Sequence, residues 1–305
     1  MIINLRGEVI IMLWEELREY QFKGAIRDFE GICVVPYGNL EKKGQHLPVG
    51  TYGLVVDAVL EEATKIEDVV IFPTGYWVGE TSAPAMAKPT GEPIWRGAIE
   101  LSVELQMTIL EELFDEIGRN GFNKIVFLTR QPAGTTTRGL FLRKLEYEKR
   151  NYACFTISAI NEETSKPENL LKTIKERKSD FNMVTDSDIK TLEKWVADGL
   201  GEDLSYVDTA IMLAKHEEYV KCDRINAEIA PEVHLTDIYD EDGVCFANME
   251  NIKYPNIKTP VVPDGLTKTI GEALLKVNAE CMAKAFKLLK EDERCLHLGL
   301  GIRNV

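Results

Sequence analysis

Side chains that can take part in acid–base chemistry lie close together between residues 36 and 53: Glu41, Lys43, His46 and Tyr52. They supply a carboxylate, an ammonium, an imidazole and a phenol, which enzymes use to move protons and to stabilise charge. An apolar run at residues 32–35 precedes them, and glycines and prolines lie among them. A buried strand that ends in a polar loop is the usual place for a site in an open α/β sheet. We therefore expect the functional site here.

The stretch reads PYGNLEKKGQHLPVGTYG. It resembles the signature of the creatininase family, the creatinine amidohydrolases and related cyclic-amide hydrolases, whose pattern is roughly P-x-G-S-x-E-Q-H-G-P-H-L-P-x-x-T-D. The residues that agree are Pro36, Gly38, Glu41, Gly44, His46, Leu47, Pro48 and Thr51. Lys43 stands where the family has its first metal-binding histidine, and Tyr52 stands where it has the metal-bridging aspartate. The resemblance therefore implies the family's scaffold more strongly than its metal site.

Two further motifs extend the resemblance along the chain. After the apolar run at residues 124–128, Gln131 takes the place of a metal-binding histidine and Ala133 that of a glutamate found in some members. In DGLGEDLSYVDTAIMLAKHEEYVK, Thr209 matches the family's threonine, Asp208 replaces its glutamate, and Asp203 falls at its catalytic histidine. More of the family's ligands are thus replaced here.

The resemblance and the alternation of strand-like and helix-like segments predict one α/β domain over residues 1–305. Its fold would be creatininase-like, a three-layer α/β/α arrangement with a mainly parallel sheet. Helices are predicted at residues 10–20, 53–66, 101–120, 135–151 and within 161–195 and 260–290; strands are predicted at 32–35, 68–73, 124–128 and 152–160. The core face of the helix at 101–120 is predicted to carry Leu105, Ile109, Leu113 and Ile117.

The net charge and the cysteine content of the chain argue against several classes of function. The 305 residues carry a formal net charge of -14, which argues against partners such as nucleic acid or an anionic membrane, because both need a basic patch. No signal peptide or membrane-spanning segment is recognisable. The 6 cysteines have no C-x-x-C spacing, so we expect reduced thiols and a cytoplasmic protein. The expected partners are a small-molecule substrate and, by analogy with the family, further copies of the chain in a homo-oligomer.

The replaced ligands favour a site without metal or other cofactor. Lys43 would then supply the positive charge, pair with Glu41 and stabilise an oxyanion, with Tyr52 or His46 as proton donor. Asp203 or Asp208 would be the base. Three alternatives stay open: Lys43 forms a Schiff base, a single divalent metal is held by Glu41, His46 and Asp208, or the charges only fill the vacated cavity while His46 packs a turn.

Residues outside the signature are candidates for substrate binding. Trp77, Glu80 and Trp95 lie in a long segment rich in glycine and proline, of the kind that often walls a pocket. Packing against a neighbouring subunit is an equally simple interpretation of these residues. Arg130 follows a predicted strand and can hold a carboxylate bidentately, and Gln131 lies beside it.

The sequence thus predicts a divergent creatininase-family hydrolase that opens a small cyclic carbonyl substrate at a remodelled site. The bond broken would be the C–N bond of a cyclic amide or the C–C bond of a cyclic diketone. One alternative is a catalytically inactive member that serves as a binding or partner subunit. Another is a metal-dependent amidohydrolase with relocated ligands.

Overall fold

The computed structural model describes residues 12–41, 43–76, 97, 99, 101–130, 150, 152–200, 204–227, 262–292 and 294. The strands, numbered in chain order, are β1 (Met12–Leu13), β2 (Ile32–Tyr37), β3 (Val70–Ile71), β4 (Lys124–Thr129) and β5 (Ala153–Ser158). The helices are α1 (Phe22–Asp28), α2 (Thr51–Thr64), α3 (Val103–Arg119), α4 (Glu162–Ser165), α5 (Pro167–Glu176), α6 (Asp186–Ala197), α7 (Tyr206–Lys215) and α8 (Lys268–Glu291).

The strands form a 5-stranded sheet in the order β1-β3-β2-β4-β5, and every neighbouring pair is parallel. The residues of β2 and β4 are all buried. Continuous apolar runs predict such strands, because a parallel sheet with helices on both faces leaves neither face to solvent. Burial of each valine or isoleucine contributes about 1.5–3 kcal/mol.

Successive residues of β2 point to opposite faces of the sheet, as strand geometry requires. Cys33 and Val35 belong to a core cluster with Phe29, which follows α1, and with Phe114, which lies in α3. Val34 belongs to the other core cluster, which α2, α7 and α8 complete. The molecule therefore has the three-layer α/β/α arrangement predicted from the sequence.

The predicted helix at residues 10–20 is wrong where the structure describes it. Met12–Leu13 is an edge strand, in which Met12 pairs with Val70, and short 3-10 turns at Trp14–Glu16 and Glu19–Gln21 follow it. Trp14 packs its ring against Phe22 and Phe72, with ring centroids 4.9 and 5.3 Å apart. Pairing with β3 and these aromatic contacts outweigh the helical spacing of the apolar residues.

Helix α3 confirms the predicted helix and corrects its buried face in part, since Ile117 is buried as predicted and Leu113 packs against the core. Leu105 is 47% exposed, whereas Leu110 and Phe114 are fully buried. The face is rotated because the aromatic ring of Phe114 packs on β4, with its centroid 5.7 Å from that of Phe127. The predicted end at Asn120-Gly121 is confirmed, since Gly121 has φ 104, a value that favours glycine.

The other elements lie close to their predicted places. Helix α2 begins at Thr51, the region 161–195 contains α4, α5 and α6, and the last predicted helix is α8. The predicted helix at 135–151 falls almost entirely outside the described residues.

Disulfide bonds and membrane-spanning helices are both missing from the described residues. Cys33, Cys154, Cys222 and Cys281 are free thiols. None of the helices in this part of the chain combines the length and the apolar character needed to cross a bilayer.

Candidate functional site

The carboxyl ends of β2 and β4 lie side by side, because Tyr37 pairs with Thr129. The loop after β2 carries Glu41 and Lys43, and Arg130 follows β4 directly. All three of these charged side chains are buried. The crevice at this edge of a parallel sheet is where ligands bind in open α/β folds. The site is thus assembled by neighbouring strands, not by the signature loop alone.

The loop after β2 is packed closely against the start of α2. A Cβ atom on Gly38 would lie 2.5 Å from the Cα atom of Gly53, and one on Gly53 would lie 2.4 Å from the ring of Tyr76. Only glycine fits at both positions. The ring of Tyr76 packs against both glycines. Tyr76 was not identified from the sequence, in which the two glycines are the signal for this close packing.

Helix α2 turns Tyr52 back toward the loop. The helix begins at Thr51, whose Oγ1 donates a hydrogen bond to the carbonyl oxygen of Pro48 at 2.6 Å. The Tyr52 hydroxyl accepts a hydrogen bond from Nζ of Lys43. The same ammonium lies 3.9 Å from the centroid of the Tyr52 ring, within the range of a cation–π contact. Lys43 and Tyr52 therefore form a buried pair.

The ammonium of Lys43 also faces two carboxylates. Its Nζ lies 3.6 Å from Oε1 of Glu41 and 3.9 Å from Oδ2 of Asp208. The three side chains are only 9%, 8% and 2% exposed, so water screens these charges weakly. Carboxylates at this distance favour the charged form of an amine. Lys43 is therefore held as an ammonium between Glu41 and Asp208.

Asp208 links this ammonium to a second cation. It lies in α7, and its Oδ1 accepts a hydrogen bond of 2.6 Å from Nε of Arg130. Burial is the largest single influence on the pKa of Arg130 and lowers it. The charges of Asp208, Tyr52 and Glu162 and the hydrogen bond to Asp208 together raise this pKa by more, so the net direction is upward. Arg130 consequently stays charged, and Asp208 bridges Arg130 and Lys43.

His46 belongs to the same loop and contacts α7. Its Nε2 and the Oγ1 of Thr209 are 2.9 Å apart, and its carbonyl oxygen accepts a hydrogen bond from the backbone of Lys221 at 2.9 Å. Burial lowers the pKa of His46, which favours the neutral imidazole. The loop is thus bound to α7 through Thr209 and to the segment after α7 through Lys221. A neutral imidazole is a poor proton donor at neutral pH.

The structure brings together part of the predicted site. Glu41, Lys43, Tyr52, Arg130 and Asp208 form one cluster, and His46 pairs with Thr209 beside it. The remaining candidates lie outside the described residues: Trp77, Glu80, Trp95, Gln131 and Asp203.

Fold and site together define an α/β protein with a buried, charged site at the carboxyl edge of a parallel sheet. The family profile for creatininase, described as creatinine amidohydrolase, matches residues 12–286. The chain therefore belongs to the creatininase family. No curated protein matches it significantly in sequence.

Solved creatininase structures share the fold at low sequence identity. A manganese form, titled "Creatininase Mn", has a TM-score of 0.62 and 15% identity, covering 93% of this chain and 100% of its own. A mutant creatininase complexed with creatine gives the same values. A putative creatinine amidohydrolase from Bacteroides fragilis has a TM-score of 0.56 and 15% identity, covering 86% of this chain and 91% of its own.

The described residues do not fit the metal pair that the family pattern implies. Lys43 and Tyr52, at two of its ligand positions, are hydrogen-bonded to each other, and the ammonium stands between the carboxylates of Glu41 and Asp208. A cation there would be repelled by the ammonium. Across the described part of the chain, no three His, Cys, Asp or Glu side chains are grouped to hold a metal ion, and the suggested trio of Glu41, His46 and Asp208 is no exception.

Proposed function

We propose that the chain is a hydrolase that opens a small cyclic carbonyl compound, with Lys43 supplying charge that metal ions supply in family members. The bond broken is the C–N bond of a cyclic amide or the C–C bond of a cyclic diketone. Family membership supports ring hydrolysis, and a mutant creatininase of the same fold has been solved complexed with creatine. The observation that carries the proposal is the position of the Lys43 ammonium, bonded to Tyr52 between two carboxylates.

The proposed role of Lys43 is electrostatic. A Schiff base requires the neutral amine, and Glu41 and Asp208 favour the ammonium. An ammonium and the adjacent Tyr52 hydroxyl are both donors, so together they suit the oxygen of a ring carbonyl as it becomes an oxyanion. Loss of one such donor typically lowers kcat by about 10²–10³.

Glu41 is the proposed general base. Asp208 is less suited, because its two carboxylate oxygens already face Arg130 and Lys43. Glu41 would take a proton from water as the water oxygen bonds to the carbonyl carbon. When the ring bond breaks, that proton passes to the departing nitrogen or carbon, and Glu41 is ionised again. The products are a carboxylic acid with an amine, or a carboxylic acid with a ketone.

The experiment is a screen of cyclic amides and cyclic 1,3-diketones, with ring-opened products detected by mass spectrometry. We expect turnover by the wild-type chain, a loss of about 100-fold or more in Lys43→Met, and a smaller loss in Tyr52→Phe, which keeps the ring. Lys172→Met is the matched control, because Lys172 is exposed on α5. Undiminished turnover in Lys43→Met would contradict the proposal.

A second candidate is an inactive partner subunit. It is favoured by the mutual pairing of the charges, since Lys43 and Arg130 are already compensated by Glu41 and Asp208 without any ligand. This candidate predicts no turnover of any compound in the screen. It also predicts a mixed oligomer when the chain is co-expressed with a creatininase that retains the metal ligands. Native mass spectrometry distinguishes that complex from the homo-oligomer that we propose for the active enzyme.

A further inference from the structure

Arg130 has hydrogen-bonding capacity that the described residues do not use. The residue is 9% exposed, and only its Nε is bonded, to Oδ1 of Asp208. Neither terminal nitrogen has a hydrogen-bond partner within the described ranges. A guanidinium carries five N–H donors, and buried donors are normally satisfied. Among the described residues, no hydrogen-bond partner takes the edge formed by the two terminal nitrogens, called the free edge below, and a ligand can bind there.

The free edge of Arg130 lies near Lys43 and Tyr52, the two groups proposed to polarise the ring carbonyl. Asp208 presents Oδ1 to Arg130 and Oδ2 to Lys43. The Cζ atom of Arg130 lies 6.0 Å from the centroid of the Tyr52 ring, and Nζ of Lys43 lies 3.9 Å from it. Both cations thus border the same aromatic ring. A small cyclic compound with its carbonyl oxygen at Lys43 would bring a neighbouring oxygen close to Arg130.

We infer that the substrate is a ring compound that carries a negatively charged oxygen group at neutral pH, and that the terminal nitrogens of Arg130 bind this group. The inference rests on the proposed hydrolase function and specifies its substrate class. Two ring chemistries supply such a group: a carboxylate on the ring, and the ionised enol of a 1,3-dicarbonyl, whose charge is shared by two oxygens.

Recognition of this group would depend on geometry more than on net charge. Asp208 already compensates Arg130, and the negative charge of Glu162 acts on the guanidinium as well. What remains is the planar edge of two terminal nitrogens, which matches two oxygens of a planar anion. A lysine at this position keeps the charge but cannot form that paired contact. The contrast between arginine and lysine therefore isolates the proposed interaction.

The test uses pairs of ring compounds that differ in charge. Dihydroorotate and dihydrouracil differ by a carboxylate; cyclohexane-1,3-dione ionises readily, and cyclohexanone does not. Ligand-observed NMR on the wild-type chain and on Arg130→Lys measures binding by saturation transfer, while product signals in the same spectra report turnover. We expect one anionic member to bind about ten-fold or more tightly than its neutral partner. In Arg130→Lys that preference should disappear, while binding of the neutral compound is kept.

The remaining outcomes separate this inference from the proposed function. Equal binding within both pairs, or a preference that survives in Arg130→Lys, would overturn the inference even if the rings are opened. Arg130-dependent binding without turnover would support the inference and count against the hydrolase. Should Arg130→Lys fail to fold, competition decides: benzoate, a planar carboxylate without a ring carbonyl, must displace the anionic compound from the wild-type chain. Failure of every anionic probe to bind at millimolar concentration would also overturn the inference.

Discussion

Replacement of Lys43 by methionine should destabilise the fold as well as lower turnover by about 100-fold or more. The change removes the ammonium that lies 3.6 Å from Glu41 and 3.9 Å from Asp208, and it removes the donor to Tyr52. Asp208 keeps its 2.6 Å contact with Arg130, whereas the ion pair between Lys43 and Glu41 is lost. Methionine is similar in length to lysine and uncharged, so it leaves little empty volume.

The expected loss is about 3 kcal/mol. Breaking a buried ion pair by removing one partner costs about 3–5 kcal/mol. The lower end applies because neither carboxylate is within direct hydrogen-bond distance of Nζ and Asp208 remains paired. With a urea m-value of about 3 kcal/mol/M, the midpoint should fall by about 1 M.

The assay is urea unfolding of each variant at one protein concentration, followed by circular dichroism. The informative comparison is Lys43→Met against the double variant Lys43→Met with Glu41→Gln. Removing the second charge should restore about half of the lost stability, because the buried negative charge that faced Lys43 is then absent as well. Lys172→Met, on the exposed face of α5, should stay within about 0.5 kcal/mol of the wild-type chain.

Two results would refute this reasoning. If Lys43→Met unfolds within about 1 kcal/mol of the wild-type chain, the ammonium does not compensate the buried carboxylates. If Glu41→Gln adds its own loss to that of Lys43→Met, the two side chains are not coupled.

Two further predictions concern the elements that hold the site. Gly53→Ala should lower the free energy of unfolding in urea by about 1–3 kcal/mol, because the added Cβ would lie 2.4 Å from the Tyr76 ring. Gly50→Ala is the control and should cost less, because its nearest contact is at 3.7 Å. Equal losses in the two variants would count against the packing argument. Burial lowers the pKa of His46 in the folded state below the unfolded value of about 6.5, so its contribution to stability is present above pH 6.5 and is lost as the pH falls. Between pH 7 and pH 5, the free energy of unfolding should therefore decline less in His46→Asn than in the wild-type chain. An equal decline in both would contradict a lowered pKa of His46.

Local sequence patterns predicted the sheet better than the helix faces. The strands β2 and β4 lie on continuous apolar runs, which are typical of strands buried on both faces of a parallel sheet. The segment at residues 10–20 failed because its apolar spacing fits a helix, while its pairing with β3 depends on distant residues. In α3, Leu105 and Phe114 both fit an apolar stripe, and only packing on β4 decides between them.

For the site too, contacts between residues near in sequence were predictable and contacts between distant residues were not. Glu41, Lys43 and Tyr52 lie within one loop and one helix start, so the signature placed them together. The contact between Arg130 and Asp208 spans 78 residues of chain, and it follows from the approach of α7 to the end of β4. No local pattern encodes that approach. The family pattern marked Asp208 as a substituted glutamate, but it did not indicate which cation Asp208 binds.

The central claim, that Lys43 replaces metal charge, is tested most directly by metal content. Protein purified without added metal or chelator would be measured by elemental mass spectrometry, with Glu41→Ala as control and ring-opening activity followed on the same samples. We predict no stoichiometric manganese, zinc or iron in the wild-type chain, and activity that chelator leaves unchanged. A stoichiometric metal that is lost in Glu41→Ala, together with activity that chelator abolishes, would contradict the account and identify a metal-dependent amidohydrolase with relocated ligands.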